Sequence, residues 1–177
     1  AAFVRGHKDK PWFLYLAFNA VHTPMDATDA RLAKFAAIAD KKRRTYAAMM
    51  SALDDNIGRV RQALQESGQA ERTLIFFISD NGGPTMNGTT TNASSNAPLR
   101  GSKRTTLEGG IRVPMIAWWP GKVPAGVVSD HLSGFQDWMP TFAELGLNGF
   151  EPVGFFLVLA PAGTPKDVLA KVSGGIA

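Results

Sequence analysis

Tyr46, Met49, Met50, Leu53, Ile57, Val60 and Leu64 recur at three- and four-residue steps, while Asp54, Asp55, Arg59, Arg61 and Gln62 fall between them. That spacing predicts an amphipathic helix of about seven turns at ~3.6 residues each, with one face that must be covered by a sheet. Gly68 is the expected stop, because a residue free to adopt positive φ commonly ends a helix. A chain of 177 residues with 45% apolar content is long enough to give that face a core to rest on.

The sheet is expected from three apolar runs. Trp12 to Phe18 is continuously apolar and aromatic, as in a strand buried on both faces. Thr73 to Ile78 is the second run, and Val113 to Trp119 the third, with Pro114 suiting a strand start or sheet edge. A short helix is expected within Ala27–Ala39, and another from Trp138 to Leu145 with Asp137 as its N-cap. Apolar strands alternating with helices predict an α/β fold with a mostly parallel sheet. The Thr-, Asn- and Ser-rich residues 85–97 lack apolar periodicity and read as a flexible surface loop.

Composition excludes several classes. There is no Cys, which rules out disulfides and thiolate metal sites. No apolar run approaches the ~20 residues of a membrane span; the longest, Trp12 to Ala20, reads as a strand. Net charge is +4, and the densest basic cluster, Lys41-Lys42-Arg43-Arg44, reads as a solvated helix face. No aromatic residues interleave with it, so no nucleic-acid partner is expected. The opening Ala-Ala-Phe-Val-Arg shows no signal-peptide pattern, and the chain is expected to start inside a domain.

In an open α/β sheet ligands bind beyond the carboxyl ends of the strands. His22 follows the first apolar run, and Asp80 and Asn81 follow the second. The latter two offer hard oxygen donors, which suit Ca²⁺ or Mg²⁺ and not zinc. Asp-Asn-Gly-Gly is equally an ordinary turn, and composition alone favours the turn. His22 in its His-Thr-Pro loop could simply satisfy backbone groups, and an isolated Lys103 is normally a solvated charge.

Together, in their order, these segments resemble the sulfatase family of the alkaline phosphatase superfamily. The resemblance covers residues 11–147. It rests on Pro11 to Phe18 running into His22-Thr-Pro24, then Tyr46 to Gly58, then Ile78-Ser-Asp80-Asn81-Gly-Gly83. Leu99-Arg-Gly-Ser-Lys103, Glu108-Gly-Gly-Ile-Arg-Val-Pro114 and Asp137-Trp-Met-Pro-Thr141 complete it. It implies an alkaline-phosphatase-like, mostly parallel sheet flanked by helices and truncated on its N-terminal side. It implies hydrolysis of sulfate esters on a sulfated small molecule or carbohydrate, in a periplasmic or secreted setting. By the same resemblance Asp80 and Asn81 are ligands of a divalent metal, Ca²⁺ with Mg²⁺ as the alternative. His22 and Lys103 are the catalytic pair that contacts the sulfate and assists the leaving oxygen. Glu108 and Arg112 read as structural, an ion pair shaping their loop.

The family nucleophile is a formylglycine made from Cys or Ser in a Cys/Ser-x-Pro-x-Arg motif. This chain has no such motif; Asn96-Ala-Pro98-Leu-Arg100 is the nearest match and reads as coincidence. The formylglycine and the first pair of metal carboxylates are expected upstream, and the chain alone is expected to be inactive. Residues 148–177 are expected to be an appended segment. They resemble a strand, an Ala-Pro-Ala-Gly-Thr-Pro turn and a helix of the solute-binding receptors of tripartite tricarboxylate transporters. The competing readings are a phosphoester or phosphonate hydrolase of the same superfamily and, from the tail, a periplasmic carboxylate-binding protein.

Overall fold

A computed structural model describes residues 1–85 and 90–144. The chain divides into two compact units, Ala1–Val127 and Val128–Ala177. The elements of the first unit are α1 (Ala2–Gly6), α2 (Asp29–Ala33), α3 (Lys41–Glu66), a 3₁₀ turn (Ala70–Arg72), β1 (Ile75–Ile78), α4 (Glu108–Ile111) and β2 (Met115–Trp118).

The long helix forms where its periodicity puts it. α3 runs for 26 residues, and Asp40 caps it by accepting from the Arg43 amide at 2.6 Å. At the other end Gly68 takes φ +68, the Gln69 amide reaches the Leu64 carbonyl at 2.9 Å, and the Gly68 amide reaches Gln65 at 3.1 Å. This is a Schellman stop, in which the amides of the left-handed residue and of the one after it turn back onto orphan carbonyls. The apolar face buries Ala48, Met49, Leu53, Ala63 and Leu64. Ala63 and Leu64 pack with Val4 of α1 in a cluster to which Trp12, Val60, Ala70, Ile75 and Trp118 add partly buried surface.

The sheet differs from the expectation in two ways. β1 and β2 form a two-stranded sheet and are antiparallel, with Ile75 opposite Trp118 and Ile78 opposite Met115. The mostly parallel arrangement is therefore not found among the described residues. Among the described residues only the one-turn helix α4 lies between the strands, and no long crossover helix of the kind a parallel pair requires is found there. Secondly, Trp12–Phe18 is not a strand. Trp12 is held, donating from Nε1 to Gln69 Oε1 at 2.9 Å, but Tyr15 is 80% exposed and Leu16 47%. A strand exists by pairing, and this segment pairs with neither β1 nor β2.

Two exposed ion pairs tie the short helices to α3. Arg31 of α2 reaches Asp55 at 2.6 Å, and Arg5 of α1 reaches Glu66 at 2.8 Å. The hydrogen bond from Arg31, reinforced by its charge, holds the Asp55 carboxyl below its ordinary range. Hydrogen bonds from Arg5 and then Gln62 do the same to Glu66. A carboxyl whose folded-state pKa is depressed adds stability that is complete above its unfolded value and disappears as pH falls through the folded value. We predict that the acid limb of unfolding, below about pH 4, flattens in the double variant Asp55→Asn/Glu66→Gln when followed by circular dichroism. An acid limb unchanged from the parent would show that these pairs contribute nothing, and salt should weaken the effect because both are solvent-screened.

In the second unit α5 spans Phe135–Glu144 and starts three residues earlier than predicted. Asp137 is not its N-cap. Its carboxylate accepts from the Gly134 amide at 2.7 Å from inside the first turn, the back-reaching half of a capping box. Leu145, the boundary at 147/148 and the appended segment 148–177 lie outside the described residues. No described helix is long and apolar enough to cross a membrane.

Candidate active site

The site is assembled where glycines let three backbone segments touch. The Gly82 amide donates to the Gly110 carbonyl at 2.9 Å, the Gly109 amide to Arg100 at 2.8 Å, and the Lys103 amide to Gly83 at 3.1 Å. A β-carbon added to Gly82 would fall inside the Gly109 carbonyl, and one on Gly110 inside the carbonyls of Thr105 and Ser102. Gly101 sits at φ +100, a conformation that side-chain-bearing residues rarely adopt. The glycines in Asp-Asn-Gly-Gly and Glu-Gly-Gly-Ile-Arg are therefore two halves of one crossing. Glu108 and Arg112 close the second half with an ion pair at 3.1 Å, as the sequence suggested.

Lys103 projects from this crossing to the loop after the first apolar run. Its Nζ lies 3.3 Å from Nε2 of His22. The other ring nitrogen, Nδ1, lies 2.6 Å from the Thr23 carbonyl. A carbonyl only accepts, so Nδ1 carries the hydrogen, and in the neutral ring Nε2 is the acceptor for the ammonium. The His22 amide is held by Asn19 at 2.7 Å. Thus 81 residues of sequence separate two groups that meet. His22 also does what the plainer reading expected, since half of its ring satisfies a backbone group.

Asp80 and Asn81 lie between the end of β1 and the glycine crossing. Gly83, whose carbonyl accepts from Lys103, is three residues beyond Asp80, so the α-carbons of Asp80 and Gly83 are within about 11 Å. Asp80 is exposed and takes part in none of the ion pairs among the described residues. No cluster of three or more His, Asp or Glu capable of holding a metal occurs among the described residues. Asp80 and Asn81 fit a hard divalent cation by donor chemistry and fall short of the roughly six to eight oxygens that Ca²⁺ takes.

Residues 90–96 of the polar loop that reads as flexible surface are built into the candidate site. Asn92 is 6% exposed and donates to the Val21 carbonyl at 3.1 Å, beside His22. Asn96 accepts from the Gly83 amide at 2.8 Å and donates toward Gly83, Thr85 and Gly101 at 2.9, 3.0 and 3.1 Å. The basic cluster is not merely solvated either. Lys42 reaches the Thr90 carbonyl at 3.3 Å and Arg43 the Ala93 carbonyl at 2.9 Å. Ala93 and Arg104, on the two loops that frame the site, hold positive φ without being glycine, a strain that such positions rarely carry. Asn92 escaped the sequence reading, and Asn96 entered it only as the head of a motif match read as coincidence. The available signal was an acid-free polar stretch set between two glycine pairs.

With the geometry in place, comparison with known proteins becomes specific. The Sulfatase family profile matches residues 1–148. The chain belongs to the sulfatase family. It is 39% identical over 142 residues to N-acetylgalactosamine-6-sulfatase of Sus scrofa, covering 80% of this chain and 26% of that protein. It is 42% identical over 137 residues to Arylsulfatase J of Mus musculus, covering 77% of this chain and 22% of that one. Among solved structures it resembles Ps i-CgsB in complex with k-i-k-neocarrahexaose, with TM-score 0.76, 44% identity and 85% of this chain matched to 33% of that chain. The sulfatase chain thus spans about a quarter to a third of the length of the relatives it matches. The sulfatase match begins at residue 1, upstream of the first motif block at Pro11. α1 lies within that match, and its Val4 is in the core with Leu64.

Proposed function

We propose that this sulfatase chain supplies the sulfate-holding pair and two metal ligands of a site that hydrolyses sulfate esters of a sulfated small molecule or carbohydrate. The observation that carries the reading is the 3.3 Å approach of Lys103 Nζ to His22 Nε2, with the Lys103 amide bonded to Gly83, two residues after Asn81. Sulfate-ester cleavage spreads negative charge over the sulfuryl oxygens and the leaving oxygen, and preorganised cations stabilise it.

The ammonium of Lys103 has three donors. One is taken by His22, and the others are free for anionic oxygens. With Nδ1–H committed to Thr23, His22 acts first as the acceptor that aims Lys103. It becomes a general acid toward the leaving oxygen only when Nε2 is protonated as well. Asp80 and Asn81 would hold Ca²⁺, or Mg²⁺ in its place, and the ion when bound supplies Lewis-acid stabilisation of the sulfuryl oxygens. No residue here fits the formylglycine. Asn96, in the nearest motif, has both ends of its carboxamide occupied by hydrogen bonds, so no nucleophilic step is assigned to this chain. Family membership favours sulfate esters over the phosphoester and carboxylate-binding alternatives.

Isothermal titration tests the reading. Inorganic sulfate should bind saturably, and Lys103→Ala should weaken it about tenfold or more, the value of one charged hydrogen bond. Dicarboxylates should give no heat, and p-nitrophenyl sulfate with Ca²⁺ should give no turnover. Equal sulfate binding by Lys103→Ala, or clear metal-dependent turnover, would overturn this division of roles.

A further inference from the structure

We infer that Asn96 is the positioning residue of this site: its carboxamide sets the register of the Asp80–Asn81 segment against the segment bearing Lys103. The inference rests on the reading that His22, Lys103, Asp80 and Asn81 form one site.

Asn96 grips Gly83 at both its amide and its carbonyl, at 2.8 and 2.9 Å, as a neighbouring strand would. The same Nδ2 also faces Thr85 Oγ1 at 3.0 Å and the Gly101 carbonyl at 3.1 Å. Two N–H bonds serve three acceptors, so at least one hydrogen is shared. Gly83 lies two residues after Asn81, and Gly101 two residues before Lys103. One side chain therefore holds both segments. The Gly83 carbonyl also takes the Lys103 amide at 3.1 Å, so the group that Asn96 fixes is the one from which Lys103 starts toward His22.

The crossing explains why a side chain is needed there. Glycine pairs bring backbones together without side chains between them, and the carbonyls left over at such a junction need donors. Main-chain amides supply some of them. Asn96 supplies those to Gly83 and Gly101 from a third segment, which the Leu99 amide steadies by bonding back to the Asn96 carbonyl at 2.8 Å. Aspartate has the same shape but no donors, and it would turn an oxygen toward the carbonyls of Gly83 and Gly101. Serine in its place would keep one donor and lose the reach.

The test is Asn96→Asp, with Asn96→Ser as the milder change, in the full 177-residue chain at neutral pH. ¹⁵N-resolved spectra would follow the His22 ring nitrogens, the Lys103 ammonium and the α3 amides. We expect the His22 and Lys103 signals to move to those of unpaired side chains in both variants, with helical circular dichroism retained. We also expect amide exchange at Gly82 and Gly83 to quicken at least tenfold. A purely structural role would shift α3 and the site together. Unchanged His22 and Lys103 signals would overturn the inference, as would loss of the whole fold in both variants. Should the signals move as expected while sulfate fails to bind the parent chain, Asn96 keeps its role and the sulfatase reading of the pair falls.

Discussion

Gly82→Ala is expected to lower folding stability by about 3 kcal/mol or more, whereas Gly58→Ala should raise it by about 0.5–1 kcal/mol. Both changes add one methyl group to a glycine, and only the surroundings differ. At Gly82 the new carbon would fall within the Gly109 carbonyl, a backbone atom that has no rotamer with which to step aside. One segment of the crossing must move, and the Gly82–Gly110 hydrogen bond at 2.9 Å goes with it. Gly58 lies inside α3 with nothing within 4 Å of the added carbon, so alanine there only reduces the freedom of the unfolded chain. Urea midpoints of the two variants should move in opposite directions. Midpoints moving together would mean that the segments do not cross as described.

Leu64→Ala should cost about 2–5 kcal/mol. Leu64 and Val4 are the largest fully buried side chains among the described residues, and Leu64 belongs to the cluster against which Trp12, Ile75 of β1 and Trp118 of β2 pack. Little else would compensate. A domain with ~5–15 kcal/mol in total loses a large share of its stability when such a contact goes. The measurement is the equilibrium unfolding free energy from urea titration, with Met50→Ala as comparison, since Met50 is 39% exposed on the same helix. A loss below about 1 kcal/mol for Leu64→Ala would show that the helix face is not packed as described.

The sequence made α3 legible because its structure is local. The apolar period and the Gly68 stop both lie within the segment they govern; the Asp40 cap is just as local but begins six residues before the first periodic position, Tyr46. The Glu108–Arg112 ion pair was legible for the same reason, being four residues apart on one turn. Trp12–Phe18 was misread because an apolar run reports a preference for burial, while a strand needs a neighbour that the run itself does not specify. The parallel sheet came from reading Trp12–Phe18, α3 and β1 as strand, helix and strand, and the first of these is not a strand, while β1 pairs antiparallel with β2.

Of the proposed site, His22, Lys103, Asp80 and Asn81 stand out in the sequence only through the order of their motifs. Each alone has an everyday explanation. Their order places them at one rim of a parallel sheet; the structure brings Lys103 to His22 by another route, through glycines that let backbones come within hydrogen-bonding distance. The loop at 90–96 was misjudged because polar composition is shared by solvated loops and by loops whose side chains replace backbone partners. Asn92 and Asn96 belong to the second kind. Burial and partners, not residue type, separate the two.

The most direct test is a sulfate titration of ¹⁵N-labelled chain, without and with millimolar Ca²⁺, with every shifted resonance mapped to its residue. One common binding curve should move His22, Lys103 and the amides from Asp80 to Gly83, and Ca²⁺ should tighten it. Shifts confined to the Lys41–Arg44 cluster, or curves for His22 and Lys103 that differ from each other, would contradict a single site.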